Sequence, residues 1–192
     1  MHEFHSLLKE WETFALLLGT AAATLAGLTF IAVTMGQRTA TRQRLPILRA
    51  HLDPALLALL LTLILSAALL MPTLTRQVFG LGLILTGVAA LGYMAAVFRS
   101  MYTRGVRGWD VADWTWYAVA PVVSGALLIV SGELALSSQS RAALTMAGLT
   151  LLLLLSMGVR NAWDLVTFTL LITAPNDQGD DTGHDPGTPP LN

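Results

Sequence analysis

Long apolar runs separated by short polar connections make up most of this chain. Five runs are long enough to cross a bilayer, because about 20 helical residues at about 1.5 Å each match a hydrocarbon core of about 30 Å. The pattern predicts an all-α fold, a polytopic transmembrane helical bundle of five helices within residues 1–174. The predicted helices lie near residues 12–36, 54–75, 78–101, 113–134 and 141–173.

The fifth run is the most informative, since polar residues interrupt its middle. Arg160, Asn161 and Asp164 lie in the otherwise apolar stretch 142–173, with Trp163 among them. A charge in hydrocarbon costs at least a few kcal/mol unless it is paired or hydrated. These four residues are therefore candidates for a structural role or for an ion pathway.

The length of the fifth run indicates where its charges lie. As a helix it is about 48 Å long, so part of it must leave the membrane. If it enters near Ala142, about 18 residues bring Arg160 to the cytoplasmic boundary. Asp164 follows one turn later, where it can pair with Arg160 or with Arg99. We expect the helix to continue through residues 165–172, with an apolar face covered by a neighbouring helix or subunit.

Composition supports the membrane class. The chain is 54% hydrophobic and only 12% charged, with a mean hydropathy of +0.64, which is too apolar for a soluble domain of 192 residues. It has no cysteine, so disulfides and thiolate metal sites are excluded. Residues 175–192 are polar, acidic and rich in Pro and Gly, which predicts a disordered tail.

The basic residues predict an orientation. They concentrate in the connections after the first and third helices, whose members are Arg38, Arg42, Arg44 and Arg49, and Arg99, Arg104 and Arg107. The positive-inside rule places both connections and the C-terminus in the cytoplasm and the N-terminus outside. The first run is too long for a cleaved signal and is expected to remain as an anchor. The first arginine group is also a candidate surface for anionic lipid or for an acidic partner.

Small residues recur every four positions in the first helix. Gly19, Ala23 and Gly27 share this spacing, and Thr20 and Thr24 lie beside them. Small residues let helix backbones approach closely, and threonine can return its hydroxyl to its own helix or offer it to another. The face is interpreted as packing within the bundle, as a subunit contact or as the lining of a pore.

Two further polar features lie in the second and fourth helices. Thr62 and Ser66 are four residues apart and predict a second polar face. Glu133 lies near the outer end of the fourth helix, where it is either a cation or proton site or an interfacial acid paired with Arg141 or Arg76.

Prolines predict several boundaries. Asp53 as N-cap and Pro54 at the first helical position predict the start of the second helix. That helix should end near Pro72, and the short turn after it predicts an antiparallel hairpin with the third helix. Pro121 is expected to kink the fourth helix.

Part of the sequence resembles a known family. The features are the W-x-x-F start and small residues of the first helix, the Arg49, Leu52 and Pro54 ending of the first loop, and an R-N-A-W-D motif at residues 160–164. Together they resemble small, uncharacterised multi-pass proteins of the bacterial inner (cytoplasmic) membrane. The resemblance implies a helical fold and that location, and it implies no catalytic residue.

No motif for chemistry is found, whether a phosphate-binding loop, a metal-ligand cluster or a nucleophile arrangement. The protein is therefore predicted not to be an enzyme, with no cofactor, no metal site and no nucleic-acid partner. Its predicted partners are the lipid bilayer and either second copies of the chain or a larger membrane complex. Three functions follow: an accessory or scaffold component acting through small-residue faces, a homo-oligomeric ion channel with Thr-lined helices and an Arg160/Asp164 site, or a small transporter.

Overall fold

The computed structural model describes residues 2–39, 45–104 and 115–173. These residues form helices and short turns without any strand, which confirms the predicted all-α bundle. The elements in chain order are α1 (His2–Thr39), α2 (Leu45–Leu69), α3 (Arg76–Arg104), a π-helical turn (Thr115–Val119), α4 (Ala120–Leu136) and α5 (Ser140–Thr173).

Four of the helical segments are long and apolar enough to cross a membrane. They are Glu3–Ala32, Arg76–Arg99, Thr115–Leu136 and Ser140–Asp164. In α2, the apolar segment with described side chains is Leu56–Leu69, which is shorter. These lengths and compositions are those of an integral membrane protein.

The fifth helix lies at the centre of the bundle. It packs against α1, α2 and α4, while α1 also packs on α2, and α3 packs on α4. Half of the span in α5 is buried inside the protein, compared with 17% of the span in α3. The apolar run singled out in the sequence is thus the helix that joins the others, and α3 lies at the edge.

The predicted hairpin of the second and third helices is wrong for the described residues. Their main neighbours are different helices, since α2 lies against α1 and α5 and α3 lies against α4. Matching glycines explain the preference of α3 for α4. A Cβ atom on Gly87 would lie 2.6 Å from the carbonyl oxygen of Gly125, and one on Gly132 would lie 2.5 Å from that of Gly80. The antiparallel backbones are therefore in contact, as small residues allow in membrane helices.

The first helix begins earlier than the sequence predicted. It starts at His2 instead of near residue 12. The reason is that its N-terminal turns carry buried apolar side chains, Phe4 and Leu7, at helical spacing. The ring of Phe4 lies 5.9 Å from that of Phe79 at the start of α3. Contacts of this kind stabilise a helix in a segment that carries several charged residues.

The second helix also begins earlier. It starts at Leu45, so the predicted cap at Asp53 and Pro54 lies inside the helix. Pro46 is the second residue of α2, a position where a proline is well tolerated. Since α1 extends to Thr39, most of the predicted arginine loop, 38–53, is helical.

Pro121 is preceded by the π-helical turn Thr115–Val119. A proline has no N–H, and its ring clashes with the carbonyl four residues earlier, which belongs to Tyr117. A π turn widens the helix at this point and relieves that clash. The structure thus has a widened turn before Pro121, and the expected kink of the fourth helix stays a prediction.

Candidate functional site

The polar residues of α5 meet the start of the fourth span. The Tyr117 hydroxyl donates a hydrogen bond to Oδ2 of Asp164 at 3.2 Å. The same oxygen lies 3.5 Å from Nε of Arg160. The Asp164 side chain is 25% exposed and the Arg160 side chain is 42% exposed. The pairing expected within the R-N-A-W-D motif is therefore present, with a tyrosine that the sequence did not suggest.

The position of Tyr117 shows where this cluster lies in the bundle. Tyr117 belongs to the first turn of the span Thr115–Leu136, so Asp164 lies at one end of the bundle. Trp163 points outward and is exposed. The predicted position of Arg160 at the cytoplasmic boundary of the membrane stays a prediction.

Asn161 differs from its charged neighbours because it is completely buried. Its side chain is 0% exposed, and neither Nδ2 nor Oδ1 has a hydrogen-bond partner among the described residues. It lies one turn after Met157, whose sulfur is 3.8 Å from the hydroxyl oxygen of Ser124 in α4. Asp164 follows one turn later, so this stripe of α5 faces α4 and the π turn.

The polar residues of α2 face the interior. Thr62 is buried and donates to the carbonyl of Ala58 at 2.9 Å. Ser66 is buried against α1, where a Cβ on Gly19 would lie 3.1 Å from the Ser66 Cβ, and its hydroxyl has no partner among the described residues. These residues belong to the contacts of α2 and do not line an open path.

The threonines of α1 face outward. Thr20 and Thr24 are exposed, and each returns its hydroxyl to the carbonyl four residues earlier, at 2.7 and 2.9 Å. They do not meet Thr62 and Ser66 within one protomer. The joint lining that the channel hypothesis requires is therefore not formed within one chain.

The predicted packing face of α1 is divided between two surroundings. Gly19 packs inside the bundle, whereas Ala23 and Gly27 are exposed and a Cβ on Gly27 would meet nothing within 4 Å. A four-residue spacing drifts around a helix by about 40° per step, because a turn contains 3.6 residues. The drift exposes Ala23 after one step and Gly27 after two.

Most of the interior hydroxyls already have acceptors. Ser131 donates across the bundle to the carbonyl of Ala143 at 2.7 Å. Ser124 and Thr150 donate to carbonyls one turn earlier in their own helices. The described interior is therefore a packed, hydrogen-bonded seam, and Asn161 and Ser66 are its exceptions.

A groove of about 380 Å³ lies on the surface between α1 and α5. It forms where Trp11 packs on Gly148, since a Cβ on that glycine would lie 2.5 Å from the Trp11 ring. Its walls are mostly apolar and comprise Glu10, Trp11, Phe14, Thr145, Gly148, Leu149 and Leu152.

Other predicted site residues lie apart from this cluster. Glu133 is exposed and forms no ion pair within 4 Å among the described residues, so neither Arg141 nor Arg76 pairs with it there. Arg38 lies at the end of α1 and Arg49 in α2. Arg42, Arg44 and the tail 175–192 lie outside the described residues. Within the described ranges, no group of His, Cys, Asp and Glu is arranged to hold a metal ion.

Sequence reasoning missed Tyr117, Ser124 and Ser131. The serines lie seven residues apart, each directly before a glycine that packs on α3. A heptad spacing of small residues in α4 would have indicated a helix seam. Nothing in the sequence linked Tyr117 to Asp164, which lies 47 residues away.

Comparison with protein-family models, curated proteins and solved structures gives no match to this chain.

Proposed function

We propose that this protein is an accessory or scaffold component of a membrane assembly, and that it binds its partner through the outer face of α1. The observation that carries the proposal is an exposed stripe on this helix with alternating spacings of three and four residues. All of its members are exposed: Thr13, Leu17, Thr20, Thr24, Gly27, Ile31 and Thr34. We call this set the α1 stripe.

The spacing of the α1 stripe is that of a seam between two supercoiled helices. Its small members leave room for a partner backbone, as the open position at Gly27 indicates. Three of the four threonines in the stripe, Thr20, Thr24 and Thr34, donate their hydroxyls to their own helix, so another helix can cover these three without leaving their donors unpaired. A lipid-facing surface has no need of such small residues.

The alternative is a homo-oligomeric channel, which the row of threonines on α1 would line if several copies met there. Inside one protomer the hydroxyls of Thr62, Ser124, Ser131 and Thr150 are bonded to carbonyls, so a channel would have to run between copies. A small transporter has no separate observation in its support.

The scaffold proposal is tested with Gly27→Ile. The side chain would fill the space that the partner helix needs, so the native complex extracted in mild detergent should become smaller. Gly82→Ile in α3 is the matched control, since a Cβ on Gly82 also meets nothing within 4 Å. An unchanged complex with Gly27→Ile would refute the role of the stripe. Ion flux through vesicles containing only the purified protein would favour the channel instead.

The proposal includes a location in the inner membrane of a bacterium, with the N-terminus outside. The orientation is supported by the arginines clustered around the α1–α2 junction and after α3. The bacterial inner membrane is supported by the resemblance of the sequence to small multi-pass proteins of that membrane. Because the chain has no cysteine, single cysteines can report orientation. An impermeant thiol reagent applied from outside should label Ser137→Cys and spare Thr167→Cys, both at exposed positions. The reverse pattern would overturn the orientation.

A further inference from the structure

We infer that Asn161 binds a water molecule that joins its amide to the Tyr117–Asp164 pair at the start of the fourth span. The inference goes beyond the scaffold function and does not depend on it. It concerns the interior of the bundle, whereas the α1 stripe lies on the outside.

The first step is the burial of the amide. Asn161 is 0% exposed, and both of its polar atoms lack a partner among the described residues. A primary amide has two N–H donors and an oxygen with two lone pairs. Buried groups of this kind are nearly always bonded to protein or to ordered water, because burial without a partner is costly.

The second step is the surroundings, which are apolar on one side. Ala58, Ala120, Leu154 and Met157 form a buried cluster at the junction of α2, α4 and α5. The Ser124 hydroxyl, the nearest along the stripe, donates to the carbonyl of Ala120 and forms no hydrogen bond with the Asn161 amide. The charged side chains nearest to Asn161 along α5 are those of Arg160 and Asp164, and Asp164 lies on the same stripe.

The third step is distance. Asn161 and Asp164 are three residues apart, which places their Cβ atoms about 5–6 Å apart on one helix face. One water with two hydrogen bonds of about 2.8 Å bridges such a gap. Asp164 uses Oδ2 for its contacts with both Tyr117 and Arg160. The other carboxylate oxygen, Oδ1, is therefore the one that accepts a hydrogen bond from the water.

The chemistry favours water over a cation. Arg160 already lies against the Asp164 carboxylate, so the charge that would attract a cation is balanced. Water can both donate and accept, as the two ends of the amide require. The site also adjoins a π turn before a proline, where ordered water commonly completes the hydrogen bonding of membrane helices.

The direct test uses the wild-type protein in lipid bilayers with ¹⁵N-labelled asparagine. The chain has only three asparagines, Asn161, Asn176 and Asn192, so the side-chain amides are readily distinguished. We expect a magnetisation-transfer peak between the Asn161 amide protons and a bound water. Transfer peaks from the Asn161 amide to protein protons alone would overturn the inference. So would a chemical shift of this amide that changes when sodium in the buffer is replaced by potassium, since a bound cation would then be present.

The second test is a substitution. Asn161→Leu removes the amide at similar volume, and loss of a water-mediated link should lower the Tm by at least about 3 °C. Ser66→Ala is the matched control, since the Ser66 hydroxyl is also buried and unpaired but packs on Gly19 of α1, outside the Asn161–Asp164 stripe. We expect its Tm to be unchanged or higher. A higher Tm for Asn161→Leu would show that the amide is unbonded in the wild type and would overturn the inference. If this variant does not fold, the spectrum of the wild-type protein still shows whether the amide contacts water.

Discussion

Gly87 of α3 lies so close to α4 that an added Cβ atom would come within 2.6 Å of the Gly125 carbonyl oxygen. The same atom would lie 3.1 Å from the backbone nitrogen of Ile129, so a rotamer change cannot relieve the clash. Gly87→Ala should therefore push the two helices apart. We expect a loss of about 1–3 kcal/mol in the free energy of unfolding, the usual cost of overpacking. Denaturant titration in mixed micelles measures it.

Gly92→Ala is the control for this prediction. It lies in the same helix, but a Cβ there meets nothing within 4 Å. Alanine has a higher helix propensity than glycine, so the variant should be as stable as the wild type or slightly more stable. Equal losses for both variants would show that backbone contact is not the cause.

Gly148→Ala should disturb the contact between α1 and α5. Its Cβ would lie 2.5 Å from the rigid indole ring of Trp11, and a loss of about 1–3 kcal/mol is expected. A smaller side chain on α1 should make room, so Trp11→Leu combined with Gly148→Ala should lose less than the two single variants added together. Additive losses would contradict a direct clash. Thermal unfolding of the four proteins in the cycle gives the comparison.

Replacement of the residues around Asp164 should produce graded effects. Tyr117→Phe removes a hydrogen bond to a charged group and should cost about 1.5 kcal/mol in a partly buried site. Arg160→Gln should cost less, about 0–1 kcal/mol, because the Arg160 side chain is 42% exposed. Asp164→Ala loses both contacts and should cost the most. Chemical unfolding of the purified variants measures the three losses in stability. A larger loss for Arg160→Gln than for Tyr117→Phe would show that the ion pair contributes more than the tyrosine hydrogen bond.

Ser131→Ala should weaken the contact between α4 and α5. The hydroxyl crosses the interface to the carbonyl of Ala143, and both residues are 0% exposed. Interhelical hydrogen bonds in membrane proteins contribute about 0.6 kcal/mol on average and up to about 1.7. Ser156→Ala is the control, since Ser156 is exposed and donates within its own helix. Thermal unfolding should separate the two variants, and equal stabilities would contradict the proposed contact.

The helices were predictable because each is a long apolar segment with polar flanks. The range 141–173 expected for the fifth helix differs from Ser140–Thr173 by one residue at its start. The early starts of α1 and α2 were not predictable by the same rule. Phe4 packs against Phe79, which is distant in sequence. The charged residues within 3–12 gave no local sign that this segment would be a packed helix.

Helix neighbours were harder to predict than helices. The short connection between α2 and α3 suggested a hairpin. Instead α3 packs on α4, because Gly80 fits against Gly132 and Gly87 fits against Gly125. Such a fit depends on the register of two helices, which no single stretch of sequence contains.

The candidate site was predicted in part. The spacing of Arg160 and Asp164 was enough to anticipate their pairing, since residues four apart on a helix are neighbours. The burial of Asn161 was not predictable from its charged neighbours. Its environment depends on which side of α5 faces α4.

The central place of α5 has a consequence for biogenesis. Helices enter the membrane in chain order, so α1 can pair with α2 and α3 with α4 before Ser140–Thr173 has been synthesised. Each pair has its own direct contacts, such as Gly19 with Ser66 and Gly87 with Gly125. Apart from contacts such as that of Phe4 with Phe79, the two halves are joined through the last helix, so most of the interface between them can form only after α5 has been synthesised.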